Sequence, residues 1–314
     1  MTDRRTFLRR GVLAGATLAA APSALLAAPP ARRRIDCHTH FYDPTRPEGV
    51  PWPRENSPLH RPVLPRDWHA VAAPHRITDT IVVEASPWVE DNQFLLDLAA
   101  ADQHLLGVIG NLDPVSPDFA AHVKRFAADP LYRGIRVSSA RAADPANAAA
   151  YHAGLRLLAE AGLVLDINGG PATAGIAAAL AKENPGLTLV INHCGNPGDP
   201  ATPLPDDWRT GIASAGKQKN VFIKISALAE AVRGEPGAAP ADPAYYRPVI
   251  DPIWNAFGPD RLVYGSNWPV SDRAAPYGTV VGIVEAYFDE KGADVSDNFF
   301  ADNSRAAYRW RERA

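Results

Sequence analysis

Short unbroken apolar runs alternate along the chain with longer stretches whose apolar residues recur every three or four positions. Eight runs have strand length: residues 34–38, 80–84, 105–110, 134–137, 163–167, 187–192, 221–225 and 261–264. They are rich in Val, Ile and Leu and lack polar alternation, which predicts strands buried on both faces. Helical periodicity falls between them, at 94–101, 119–128, 148–161, 173–183 and 248–257. Strand alternating with helix predicts a parallel sheet. Eight such units in a chain of 314 residues predict an α/β fold of one domain, a (β/α)8 TIM barrel. An open doubly wound sheet is the competing arrangement; it wants a glycine-rich phosphate turn after the first strand, and none is present.

Two stretches interrupt the alternation. Residues 44–74 are dense in proline and carry Trp52, His60, Trp68 and His69, and residues 234–243 are a Gly/Pro/Ala segment. Both follow the C-terminal end of a strand, the face where barrels build active sites, so both are expected as loops over the mouth.

Composition narrows the class further. The chain is 46% hydrophobic and 21% charged, which excludes wholesale disorder and collagen-like repeats. With 32 basic and 35 acidic residues the formal charge is −3, so nucleic acid is not an expected partner. Residues 1–28 stand apart: a basic start with Arg4-Arg5-Thr6-Phe7-Leu8, then a small-residue apolar run without charge. That layout resembles a twin-arginine export signal. It predicts a domain over 29–314, contact with a membrane only through the export machinery, and a periplasmic location. An oxidising compartment would permit a bridge between Cys37 and Cys194.

The first strand reads Ile35-Asp36-Cys37-His38-Thr39-His40. Side chains alternate along a strand, so His38 and His40 share a face and can converge on one ion or substrate atom. By the same alternation Cys37 is expected to point out toward the helices. Cys194, beside His193 on a strand that is not a neighbour of the first, is expected to face away from that histidine. The two sulfurs are then too far apart to bridge.

These residues resemble the amidohydrolase-related TIM-barrel hydrolases, a group that includes 2-pyrone-4,6-dicarboxylate lactonase and the sugar-acid lactonases. Residues Asp36-Cys37-His38-Thr39-His40-Phe41-Tyr42-Asp43-Pro44 resemble the family's D-x-H-x-H-F-W-D-P opening. Asn192-His193-Cys194-Gly195-Asn196-Pro197 resembles its D-H-x-G-x-P. Asn220-Val221-Phe222-Ile223-Lys224-Ile225-Ser226-Ala227-Leu228 resembles N-V-x-x-K-L-S-G-L. The run from Phe257-Gly258-Pro259-Asp260-Arg261-Leu262 to Gly265-Ser266-Asn267-Trp268-Pro269-Val270 resembles F-G-P-D-R-L and G-S-D-W-P-V. Asn303, Arg305 and Tyr308 fit the closing helix. The resemblance covers nearly all of the chain beyond the signal.

It implies that His38, His40 and His193 line the mouth and can hold one divalent ion, zinc first. Members of the lactonase branch that work without metal polarise the lactone carbonyl with histidines and arginines. The family's strand-eight Asp is Asn267 here, and an amide takes up no proton at neutral pH. The fifth strand ends without the histidine of the two-metal relatives. A replacement base is sought among Glu84, Asp113, Asp166 and Asp272, with Asp166 placed closest to the mouth. Arg136 suits a substrate carboxylate or carbonyl, though it also suits a buried ion pair. Lys224 is unusual in a buried strand, and Tyr42 and Trp268 can wall a small-molecule substrate. The expected function is a hydrolase that opens a lactone by water attack. The alternatives are a decarboxylase of the same superfamily and a periplasmic binding protein that has lost its base.

Overall fold

The computed structural model describes residues 32–313; the expected export signal lies outside them. Eight strands form: β1 (Ile35–Thr39), β2 (Asp79–Val83), β3 (Leu105–Gly110), β4 (Tyr132–Ser138), β5 (Val164–Asn168), β6 (Leu189–Ile191), β7 (Val221–Ile225) and β8 (Leu262–Tyr264). They pair in parallel in sequence order. A bridge between Thr39 and Trp268 returns the first strand to the last, so the fold is a (β/α)8 barrel. Helices fill the connections, among them Asp91–Ala101, Phe119–Phe126, Ala148–Glu160, Thr173–Glu183 and Arg247–Phe257. Among the described residues no helix is long and apolar enough to cross a membrane.

The strands sort their side chains into two apolar layers. Val82, Ile135, Leu165, Ile191, Ile223 and Leu262 face the helices. Ile81, Val83, Val164, Val190, Phe222 and Val263 fill the barrel, joined by Tyr308 and Trp310 from the C-terminal end of the chain. Burial on both faces accounts for the continuous apolar runs. Strand β6 is shorter than expected because the backbone leaves the ladder at His193, which adopts a left-handed conformation (φ 55°).

Two expectations are corrected. Cys37 does not face the helices; it packs with the barrel-filling cluster. The register between β1 and β2 shifts between Asp36 and Thr39, and this bulge breaks strict alternation just where it was assumed. Both cysteines are nevertheless unbridged and buried. Residues 44–74 are irregular only in their first part. Pro65–Ala72 is a helix with proline at its first position and Asp67 accepting from the Leu64 N–H (3.0 Å), and it buries Trp68.

Burial pushes the Cys37 thiol far up and the Cys194 thiol up to about 12. Neither should therefore react with a thiol reagent in the native protein. Titration with Ellman's reagent is expected to find none of the two before unfolding and both in guanidinium; a fast-reacting native thiol would contradict this placement.

Candidate active site

The mouth of the barrel is assembled where β1, β6, β7 and β8 end. Four residues just past those strands have positive φ: His193 (55°), Cys194 (55°), Ala227 (53°) and Asn267 (62°). Left-handed non-glycine residues are costly and gather where a site must be formed, and Asn tolerates the conformation better than most. Backbone bonds from Asn267 N–H to the His38 carbonyl and from His40 N–H to the Trp268 carbonyl, both 2.9 Å, tie β1 to the end of β8. Asp36 reinforces the seam, accepting from the Ser266 N–H (2.8 Å), the His38 N–H (3.1 Å) and the Tyr277 hydroxyl (3.0 Å). Gly265 is needed beside them, since a Cβ there would lie 2.8 Å from the His38 Cβ.

His38 rests on a wholly buried network. The Lys224 Nζ lies 3.1 Å from His38 Nδ1 and 2.6 Å from Asp166 Oδ2, while the Tyr308 hydroxyl donates to Asp166 Oδ1 at 3.1 Å. Burial pushes Asp166 up and Lys224 down, and the attraction between them opposes both shifts. With the pair ionised, Lys224 is an ammonium without a lone pair, so one of its N–H bonds meets His38 Nδ1. The imidazole proton of neutral His38 therefore sits on Nε2. That atom is buried and has no protein partner.

The other two histidines stand close to it, with ring centres 4.9 Å (His40) and 4.4 Å (His193) from that of His38. His40 Nδ1 donates to the carbonyls of Val83 (2.9 Å) and Glu84 (3.1 Å), which leaves a lone pair on Nε2. Asn267 Oδ1, also an acceptor, faces that lone pair at 3.3 Å. His193 Nδ1 is 3.0 Å from Ser226 Oγ, which also accepts the His193 N–H. Burial holds His40 down at about 3, helped by Arg136; it also takes His38 and His193 well below the ordinary histidine range, helped by Lys224 and Arg136. All three are neutral imidazoles at pH 7.

A cavity of about 390 Å³ opens over His40 and Asn267, walled by Trp52, Ser86, Asn111, Arg136 and Val270. Arg136 donates from Nε to Glu84 Oε1 (2.7 Å) and from Nη2 to the Glu84 carbonyl (2.9 Å). It thus lines the cavity and forms an ion pair at once, and Glu84 is occupied by it. Trp268 is buried against Phe41 instead of walling the cavity. The Tyr42 hydroxyl donates to the Leu59 carbonyl, and its ring supports Trp52 from behind (centres 5.4 Å apart). The aromatic wall of the mouth is Trp52, from the proline-rich loop.

Asp166 does not present a free carboxylate to the mouth. Lys224 and Tyr308 take its two oxygens, and its residue is fully buried in the barrel. Asp113 is exposed and paired with Arg141, and Asp272 lies exposed in the turn beyond β8. The carboxylate that reaches the site is Glu230, which the sequence reading passed over. Its Oε1 accepts from Asn267 Nδ2 at 2.8 Å, and its Oε2 is sealed from solvent with no partner. The available signal was an isolated acid within the apolar run Leu228-Ala229-Glu230-Ala231-Val232, two residues after a matched motif. Burial pushes its carboxyl up to about 7, against the pull of the Asn267 amide and Arg273.

A three-histidine metal site does not fit this donor set. His40 offers a lone pair, but Lys224 fixes the His38 proton on the nitrogen that would have to bind the ion. Among the described residues no three His, Cys, Asp or Glu side chains converge as ligands of one ion would.

A barrel that gathers beneath and in its mouth two histidines from the end of its first strand, one after the sixth and a polar residue after the eighth has the layout of a class of hydrolytic enzymes. The amidohydrolase family model matches residues 35–310, and the chain belongs to that family. An L-fucono-1,5-lactonase of Burkholderia ambifaria is 30% identical over 247 residues, covering 78% of this chain and 83% of its own length. A second L-fucono-1,5-lactonase, from Burkholderia multivorans, is 27% identical over 82% of this chain and 89% of its own. The crystal structure of a Burkholderia multivorans amidohydrolase with bound zinc is 25% identical, covers 89% of this chain and all of its own, and superposes with a TM-score of 0.78.

Removing one partner of a buried ion pair strands the other charge. Asp166→Asn is expected to destabilise the fold by about 3–5 kcal/mol, read from urea midpoints. The double variant Asp166→Leu with Lys224→Met should cost less than the single one. A neutral Asp166→Asn variant would refute the pair's role beneath His38.

Proposed function

We propose that this protein opens a lactone, and that its substrate is a neutral, hydroxyl-bearing sugar-acid lactone. The similarity to two L-fucono-1,5-lactonases over about four-fifths of the chain carries the reading. The charge pattern of the cavity supports the neutral substrate. Among the described residues lining it the charged ones are Arg136 and Glu84, which pair with each other, so the cavity presents no net positive charge to attract a substrate carboxylate. Ser86, Asn111 and Asn267 supply the hydrogen-bonding groups suited to sugar hydroxyls, and Trp52 offers an apolar wall.

In this reading the His38 Nε2–H donates to the lactone carbonyl oxygen and then to the oxyanion formed when water adds. Lys224 holds the proton on that nitrogen. A buried donor aimed at developing negative charge stabilises the transition state without reorganising. The neutral His40 and His193 complete a water-poor wall around the carbonyl.

The signal-free protein should open L-fucono-1,5-lactone, followed by proton release, and keep its rate after chelator treatment. His38→Ala should lose roughly 10²–10³-fold in kcat, the usual cost of one oxyanion donor. Activity lost to chelator and restored by zinc would overturn the metal-independent route; an unaffected His38→Ala variant would overturn the role of the donor.

Export rests on residues 1–28 alone. Fractionation of expressing cells is expected to place the processed chain in the periplasm, and a variant with Arg4→Lys and Arg5→Lys should stay inside unprocessed.

A further inference from the structure

We infer that Glu230, brought in by the turn after β7, is the catalytic residue that takes the proton of the attacking water, where residue 267 supplies only an amide. The inference rests on the lactone-opening reading. Its basis is placement. Glu230 Oε1 is bonded at 2.8 Å to the side chain of Asn267, which lines the substrate cavity. Asn267 in turn meets His40 across that cavity's floor. Glu230 also lines a second cavity of about 210 Å³ together with His193 and Ser226.

A position for water follows from the acceptors. His40 Nε2 and Asn267 Oδ1 face each other at 3.3 Å with no hydrogen between them, because His40 spends its only proton on two carbonyls. One O–H of a water shared between this pair satisfies both acceptors and leaves the second O–H for the Glu230 carboxylate, which the other end of the same Asn267 amide holds. Among the described residues the other candidate acids are engaged elsewhere or turned to solvent. Glu84 belongs to Arg136, Asp166 to Lys224 and Tyr308, Asp113 to Arg141, and Asp272 is exposed. Neutral histidines with strongly lowered proton affinity are poor bases. The Glu230 carboxyl, raised by burial to about 7, has the affinity a base near neutral pH wants. Arg273 and Asp272 act on it from the turn beyond β8 with opposite sign. The Cys194 thiol and the hydroxyls of Tyr246 and Tyr264 complete its titratable surroundings.

The step balances. The water oxygen bonds to the carbonyl carbon as one of its O–H bonds breaks, and the proton goes to the Glu230 carboxylate. The ring C–O bond then breaks, and the leaving oxygen takes that proton from Glu230, giving the open hydroxy acid and the original carboxylate.

The test is the pH profile of L-fucono-1,5-lactone opening by the wild-type protein and Glu230→Gln. Gln keeps an oxygen for Asn267 but cannot hold the proton, so a merely orienting role would survive the change. Because the base must be ionised, wild-type kcat/KM should rise with pH to a plateau above about 7. Glu230→Gln should lose roughly 10²–10⁴-fold in kcat with KM little changed, and lose that acidic limb. A thermal melt at pH 8 checks that the variant is folded. A wild-type profile flat from pH 6 to 8, or a variant that keeps a tenth of kcat together with the limb, overturns the assignment of Glu230 alone. A wild-type protein that opens no lactone overturns the lactone reading and this inference with it.

Discussion

The buried contact between Lys224 and Asp166 organises the interior of this barrel. Two ionisable groups with no solvent exposure are expensive to bury, and they persist only where geometry and further hydrogen bonds satisfy them. Here Asp166 gains the Tyr308 hydroxyl from the last helix, and the remaining direction of the Lys224 amine is spent on His38. The pair thereby orients an imidazole and selects its tautomer. A polar device in an otherwise apolar barrel links the C-terminal helix to the chemistry at the mouth.

The closing seam does the rest of the positioning. Asp36 binds two backbone N–H groups and a tyrosine hydroxyl at the junction of β1 and β8, and the backbones of His38, His40, Asn267 and Trp268 exchange hydrogen bonds across it. A strand pair so fixed holds His40 and Asn267 in register. The left-handed residues after β6, β7 and β8 turn the chain sharply out of the sheet, so that side chains from adjacent strands meet over the barrel axis.

Charge in the mouth is arranged by cancellation. Arg136 and Glu84 pair, Lys224 and Asp166 pair, and the three histidines are kept neutral by burial and by the two nearby cations. What remains is a set of oriented dipoles and lone pairs plus Glu230, whose carboxyl is buried without a cationic partner at hydrogen-bonding distance. Such a site suits a reaction in which charge appears only in the transition state.

The eight-fold alternation of buried strands and amphipathic helices was legible without coordinates, because burial on both faces leaves a continuous apolar run that no surface element needs. So were His38, His40, His193 and Asn267, since each sits in a local motif at a strand end. The position of Cys37 was not, because a one-residue bulge leaves no trace in a pattern of alternating faces. Nor could sequence say that Asp166 would be consumed by Lys224, that Arg136 would be neutralised by Glu84, or that Trp52 would form the aromatic wall. Each depends on which side chain a neighbouring element brings within 3 Å, a distance that spacing along the chain does not encode. Glu230 illustrates the same limit: its carboxylate belongs to the site only because the turn after β7 folds back onto the residue after β8.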